Sequence, residues 1–254
     1  MADERHKLAY RARYALSNPD RVLPYLRRLA RDASIRLRNR DHVSYYREVM
    51  RHDVAENPRG AVGTPSRERW LALGKLQYDY LCEHGLRAVH DVLEIGCGNL
   101  RAGWRLIEHL EPGRYTGIDI SPDVLLAAND TVEEFGLQDR DARLTLVRDL
   151  RFGWLPDARF DVIHAHSVFS HCPPEVILEC FDHVGRILRP DGLFDFTFNA
   201  TQGKEHHVLH EDYYYRPENL LRAARARGFE ATFMDDWEGR HKQSKIRLRH
   251  AAPG

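Results

Sequence analysis

No apolar run in this sequence approaches the roughly 20 residues that a bilayer-spanning helix needs. The first residues, MADERHKLAYRARYAL, hold no apolar core of the kind a secretory leader carries. Cysteine is scarce. Cys82, Cys97, Cys172 and Cys180 stand apart, without a C-x-x-C pair or disulfide-like spacing, so the chain is expected in a reducing, cytoplasmic setting. There is no internal repeat, no low-complexity tract and no net charge. What remains is an ordinary globular balance, 43% hydrophobic and 30% charged. At 254 residues the chain can bury the core of one large domain, or of one domain with a cap.

The zero net charge hides an asymmetry. Residues 1–60 hold 14 Lys/Arg against 8 Asp/Glu, so the remainder is acidic by the same margin. A basic segment of this kind fits an anionic partner, or simply a solvated helix face matched to the acidic remainder. Within it Leu23, Leu26, Ala30, Ala33 and Leu37 recur at three- and four-residue steps, the spacing of one helical stripe. Residues 52–66 hold Pro58, Gly60, Gly63 and Pro65 and read as a linker. The sequence thus divides into a basic helical extension, cap and linker over 1–60 and a larger domain over 61–254. A helix is expected from Ser66, with Trp70, Leu73, Leu76, Tyr80 and Leu81 inward.

From residue 90 short apolar runs alternate with helical stretches. The runs are 92–96, 115–120, 143–147, 160–167, 192–198, 229–234 and 244–249. Helix-like segments lie near 101–111, 122–136, 174–188 and 217–227. Runs separated by a helix or long crossover predict parallel strands with helices on both faces. The last two runs, joined by the polar DDWEGRHKQ, leave no room for a helix and predict an antiparallel hairpin at a sheet edge. The fold class is α/β, a doubly wound, mostly parallel seven-stranded sheet with an N-terminal helical extension.

The densest motif is DVLEIGCGNLRAG (91–103), at the first strand-to-helix turn. Gly96 and Gly98 let the backbone bend sharply and approach a ligand closely. The following helix start offers free N–H groups to an anionic part of it. Asp119 ends the next run, where an acid can accept both hydroxyls of a ribose. A dinucleotide fingerprint, G-x-G-x-x-G, would place a third glycine where Arg101 stands, and that glycine is missing.

This spacing resembles the class I S-adenosylmethionine-dependent methyltransferases, whose first motif runs E/D-x-G-x-G. Glu94, Gly96 and Gly98 match it, and GCGNLRAG is similar to a bacterial subgroup with G-C-G-x-L-R-x-G. Downstream, Leu155-Pro156 before Phe160-Asp161, and Leu188-Arg189-Pro190-Asp191-Gly192, resemble the family's leads into its fourth and fifth strands. The likeness spans roughly residues 66–249. It implies a Rossmann-like methyltransferase sheet that binds S-adenosylmethionine and releases S-adenosylhomocysteine. By the same resemblance the cofactor would be held by Glu94, Gly96, Cys97, Gly98, Asn99, Arg101, Asp119, Ile120, Asp149, Leu150 and His166, with Asp149 receiving the adenine amino group.

Ligands on such sheets bind outside the carboxyl ends of the strands. There the fourth run gives HAHSVFSHCPPE, and alternation puts His164 and His166 on one face, His166 nearer the end. The resemblance places the methyl acceptor beside His166. A histidine there can take the proton of a hydroxyl, so His166 is the candidate general base, against the plain alternative of a packing or cofactor contact. His171 is the second candidate catalytic residue. Tyr213, Tyr214 and Tyr215 lie in a stretch that often borders the acceptor in the family, and equally suit a core. The histidines here and in HHVLHE (206–211) do not have zincin spacing, and no metal is expected. The expected reaction is O-methylation of a small-molecule, sugar or glycan, or lipid-linked hydroxyl, with the absent asparagine-proline-proline-aromatic motif weighing against amide or base N-methylation. The alternatives are a nucleic-acid methyltransferase using the basic arm and a non-catalytic S-adenosylmethionine-binding protein. The arm's arginines lack interleaved aromatics, against a nucleic-acid partner. A lid, a homodimer interface or an anchor to an anionic surface are the roles open to residues 1–60.

Overall fold

The computed structural model describes residues 19–39, 41–56 and 66–252. Contacts divide the chain into Met1–Asp41 and His42–Gly254. In the first unit α1 (Pro19–Arg38) forms as the periodicity predicts. Its covered side is not the expected stripe, however. Leu26 and Leu37 are 52% and 86% exposed and Ala30 and Ala33 are exposed, while Asp32 and Ile35 are buried. Periodicity marks an apolar face but does not say that the face is covered. The expectations for residues 1–18 and 57–65 lie outside the described residues.

The second unit begins with α2 (His42–Glu56), which runs five residues into the segment read as linker. The sequence placed this helix in the extension; its contacts place it with the larger unit. Then follows α3 (Arg67–Glu83), capped as expected by Ser66, whose hydroxyl accepts from the Arg69 N–H. Its inward residues include Trp70, Tyr80 and Leu81, but Leu73 and Leu76 are only half-buried. Gly74 and Gln77 take the inner positions. A Cβ on Gly74 would stand 1.9 Å from the Arg101 carbonyl oxygen, so this glycine sets how closely the helix approaches the GCGNLRAG turn.

The sheet is formed by β1 (Val92–Ile95), β2 (Tyr115–Asp119), β3 (Arg143–Leu146), β4 (Phe160–Ala165), β5 (Leu188–Ala200), β6 (His206–Val208), β7 (Asp212–Tyr215), β8 (Phe229–Phe233) and β9 (Ser244–His250). Helices α4 (Gly103–His109), α5 (Pro122–Glu134), α6 (Pro174–Ile187) and α7 (Pro217–Arg225) connect them. Parallel pairing runs β3-β2-β1-β4-β5. β9 then pairs antiparallel with both β5 and β8. These seven strands are the expected doubly wound sheet and its terminal hairpin. The small hairpin β6–β7, read only as an insert from the sequence, adds to the far end of β5 through Asn199 and Ala200.

Strand alternation sorts the core into two faces. Toward α6 and α7 lie Leu93, Ile95, Ile163, Phe194, Phe196, Phe198, Ile246 and Leu248, an unbroken apolar layer. Toward α3 and α4 the layer opens apolar, with Val92, Val162 and Leu193. It then turns polar toward the carboxyl ends of the parallel strands, where Glu94, His164, Asp195, His166 and Thr197 are all buried.

Candidate active site

The bend after β1 is built as the motif requires. Gly96 and Gly98 have φ of 63° and 57°, left-handed conformations that favour glycine. A Cβ at Gly96 would also meet Val168 at 2.4 Å. The Gly98 N–H donates to Asp119 Oδ2 at 3.1 Å and the Ser121 N–H to Oδ1 at 2.9 Å. Two N–H groups therefore orient the carboxylate at the end of β2 while leaving lone pairs for a diol. Burial raises the Asp119 pKa, and the N–H groups of Ser121, Gly98 and Ile120 with Arg47 pull it back.

Glu94 is 4% exposed and accepts from the Tyr115 hydroxyl at 2.5 Å. Burial pushes its pKa up to about 7, against the Tyr115 bond and the Arg101 charge. The last glycine of GCGNLRAG serves this pair. A Cβ on Gly103 would lie 2.5 Å from the Tyr115 hydroxyl and 2.9 Å from Glu94 Oε2.

The other residues expected around the cofactor separate by what their side chains do. Cys97 packs in the α3-side core, and Asn99 Oδ1 accepts from Trp70 Nε1 at 2.9 Å, so both offer a ligand their backbone rather than their side chains. Arg101 is half-buried, and its charge acts on Glu94 and the fourth-strand histidines. Ile120 is half-buried next to Asp119. Asp149 is exposed with Oδ1 accepting from the Arg151 N–H, and Leu150 is buried with its N–H given to Glu179.

His166 is 6% exposed at the carboxyl end of β4, and neither ring nitrogen has a hydrogen-bond partner. Burial holds its pKa well below the ordinary value, with Arg101, His164, His241 and Lys245 adding to the effect. The ring is thus neutral at pH 7. Just beyond it Ser167 takes a φ of 60°, held by its N–H to Thr197 Oγ1 at 2.8 Å and its hydroxyl to Gln243 at 2.8 Å. His171 sits elsewhere. Its Nδ1 lies 2.6 Å from the Glu211 carbonyl oxygen, which can only accept, so Nδ1 carries a proton. Its ring tilts against Tyr46 at 5.6 Å. Tyr215 is buried with its hydroxyl donating to the Cys172 carbonyl at 2.5 Å, a packing role. Tyr214 stacks on His206 at 4.7 Å, and Tyr213 meets His42 edge-on at 6.0 Å. Tyr213 thus borders α2.

Sequence reasoning missed α2 as part of this site. Arg47 donates through Nε to the Ile120 carbonyl at 2.5 Å and through Nη2 to the Val147 carbonyl at 2.9 Å. It joins the carboxyl ends of β2 and β3 beside Asp119. The Tyr46 hydroxyl is pushed up by burial, then by Cys172, Asp119, Glu211 and Asp212 around it. Nothing in the sequence sets Arg47 apart from the other basic residues of the first 60. Lys245 was missed as well, although its alternation with Ile246 in SKIRLR was a usable signal. Among the described residues no group of three or more His, Cys, Asp or Glu converges as a metal site.

Comparison with known proteins points to the same fold. Residues 93–194 match a methyltransferase domain family. A probable methyltransferase, ltbC of Aspergillus luteorubrus, is 27% identical over 106 residues, which cover 40% of this chain and 37% of that protein. The match therefore spans well under half of the curated relative. Among solved structures, the magnesium protoporphyrin IX methyltransferase of Synechocystis with bound S-adenosylmethionine aligns with a TM-score of 0.61 at 15% identity, over 82% of this chain and 97% of that one. A S-adenosylmethionine-dependent methyltransferase from Aquifex aeolicus gives 0.57 at 17% identity, over 76% and 96%. The fold is that of the Rossmann-like methyltransferases, and residues 93–194 are similar to a methyltransferase domain.

Proposed function

We propose that this chain is a S-adenosylmethionine-dependent O-methyltransferase that acts on a hydroxyl of a small-molecule, sugar or glycan, or lipid-linked acceptor. The observation that carries the reading is the Gly96–Gly98 bend with Asp119 held beside it by two N–H groups. The residues fit an adenosyl group. An oriented carboxylate suits a ribose diol, and Ile120, Val147 and Leu150 supply apolar surface at the ends of β2 and β3. When bound, the cofactor supplies an electrophilic methyl group on sulfur. The chain's own work is to align an acceptor oxygen with it, an effect that can be worth about 10⁵ M in effective concentration. His166, neutral and with free ring nitrogens at the end of β4, accepts the hydroxyl proton.

Calorimetry with S-adenosylhomocysteine tests the binding half. Wild-type protein should bind it, and Asp119→Ala should weaken binding by about tenfold or more, the loss expected for a charged hydrogen-bond acceptor. His166→Ala should slow transfer by at least about tenfold, the low end of general-base contributions. A wild-type chain that takes up neither the cofactor nor its product would overturn the reading.

A further inference from the structure

Strands β2 and β3 end at Asp119 and Leu146, and pairing between them carries on for one more bond, from the Val147 N–H to the Asp119 carbonyl at 2.9 Å. Just past those ends stand the carbonyls of Ile120 and Val147. A backbone carbonyl leaving a ladder needs a new donor or water. Here one side chain serves both. Arg47 donates to the Ile120 carbonyl through Nε at 2.5 Å and to the Val147 carbonyl through Nη2 at 2.9 Å. A planar guanidinium holds two acceptors at a spacing its own rigid geometry dictates.

The location of this tie matters more than its strength. It lies at the carboxyl ends of the strands, where Ile120 directly follows the acid that suits a ribose. Val147 is buried, and Ile120 packs against the same apolar layer. The Arg47 charge also favours the ionised form of Asp119. The helix that delivers Arg47 is firmly seated, since Tyr45, Val49 and Met50 are buried and α2 packs beside α5. The preceding residue, Tyr46, tilts its ring against His171 instead, in the segment after β4. Of this neighbouring pair, Arg47 is the one that binds the ends of β2 and β3.

We propose that Arg47 is a positioning residue for the adenosine half of the cofactor: one guanidinium from outside the sheet fixes the Ile120 and Val147 backbones, and with them the edge that meets the nucleoside. The inference rests on the S-adenosylmethionine reading and adds to it a residue that the glycine-rich motif does not contain. Both bonds of Arg47 go to the chain's own carbonyls, so its effect reaches the ligand through Ile120 and Val147. That effect is therefore the same for every ligand that carries adenosine, whatever its amino-acid half. Without the guanidinium the edge has to be ordered at the moment of binding, which lowers affinity. A lysine would keep the charge beside Asp119 but, as a point donor, would not hold both carbonyls at one spacing.

The test is calorimetry with two probes, S-adenosylhomocysteine and methylthioadenosine, which shares the adenosine and lacks the amino-acid group. Arg47→Ala should weaken both by the same factor, about tenfold, the order expected when a charged hydrogen-bond donor is lost. Arg47→Lys should fall between wild type and Arg47→Ala for both probes. Thermal melting of the ligand-free proteins establishes that each variant folds, and Arg47→Gln takes the place of the alanine variant if that one does not. A folded variant with a lower melting temperature but unchanged affinity for both probes would overturn the inference, because Arg47 would then serve the fold alone. A loss confined to S-adenosylhomocysteine would overturn it too, since Arg47 would be acting on the amino-acid half. So would wild type that binds S-adenosylhomocysteine but not methylthioadenosine. Wild type that binds neither probe would instead strike the S-adenosylmethionine reading beneath it.

Discussion

The two ends of the sheet both bury charge, and they treat it in opposite ways. At the amino ends of the parallel strands Asp91, 2% exposed, is ringed by Arg114, Arg159 and Arg189 at 3.4, 3.0 and 3.0 Å. Asp161 joins them, accepting from the Asp91 N–H at 2.8 Å and from Arg189 at 2.6 Å. Burial alone would raise the Asp161 pKa, but Arg189 and the Asp91 N–H hold it low. At the carboxyl ends His164, His166 and Lys245 are buried with no such partners. Paired charge at one end reads as architecture. At the other, buried polar groups lack hydrogen-bond partners among the described residues, and groups left so cost stability.

The sharpest way to break that contrast is to remove Asp91. Asp91→Ala strands three arginines around one buried position. Breaking a buried pair costs about 3–5 kcal/mol, and because each arginine is about a third exposed the loss should be nearer about 2–3 kcal/mol. Chemical denaturation should show it, with affinity for S-adenosylhomocysteine unchanged. A variant as stable as wild type would mean that the amino-end network is not structural.

Legibility in the sequence followed the same division. The five parallel strands, the closing hairpin and the Ser66 cap could be read because each depends on residues near one another in the chain. So could the spacing that brings Glu94, Gly96, Gly98 and Asp119 together. The long-range contributions could not. Arg47 reaches Val147 across 100 residues, and the Lys245 ammonium lies over the ring of Tyr80. Asp195 and Thr197 alternating with phenylalanines, and Lys245 and Arg247 alternating with Ile246 and Leu248, did signal a polar buried face. Which strands would align those faces depended on the sheet order. The exposed stripe of α1 shows the converse, a regular pattern whose cover the pattern does not name.

The carboxyl end should respond to substitution with the opposite sign. Lys245→Met keeps the length of the side chain and removes an ammonium that packs on the Tyr80 and Trp237 rings but has no hydrogen-bond partner among the described residues. Replacing such buried charge with apolar atoms is neutral to stabilising, so a gain of about 1 kcal/mol is expected at pH 7. The titration gives a second handle. Burial, opposed in part by Asp195, lowers the Lys245 pKa from 10.5 to about 8. Between those values the unfolded chain binds more protons, so the folded state gains stability as pH rises through that window. Denaturation midpoints at pH 7.5 and 10 should rise for wild type relative to Lys245→Met, and parallel curves would place Lys245 among satisfied groups.

The smallest effect lies at His164 and separates packing from poise. Burial lowers its pKa from 6.5 to about 3, with Lys245 adding to the fall and Asp195 opposing it. As pH drops below 6.5 the unfolded chain takes up a proton that the folded one refuses, so stability is lost toward acid. Glu94 acts the other way, since burial raises it from 4.5 to about 7 and its folded form holds the extra proton. Wild-type acid sensitivity is therefore a balance in which His164, His166 and His241 oppose Glu94. His164→Leu removes one of them and should flatten or reverse the change in melting temperature between pH 6.5 and 5. A variant that loses stability toward acid as steeply as wild type would show that the imidazole is already protonated or solvated in the folded chain, and the polar end of the sheet would then be no different in kind from the paired one.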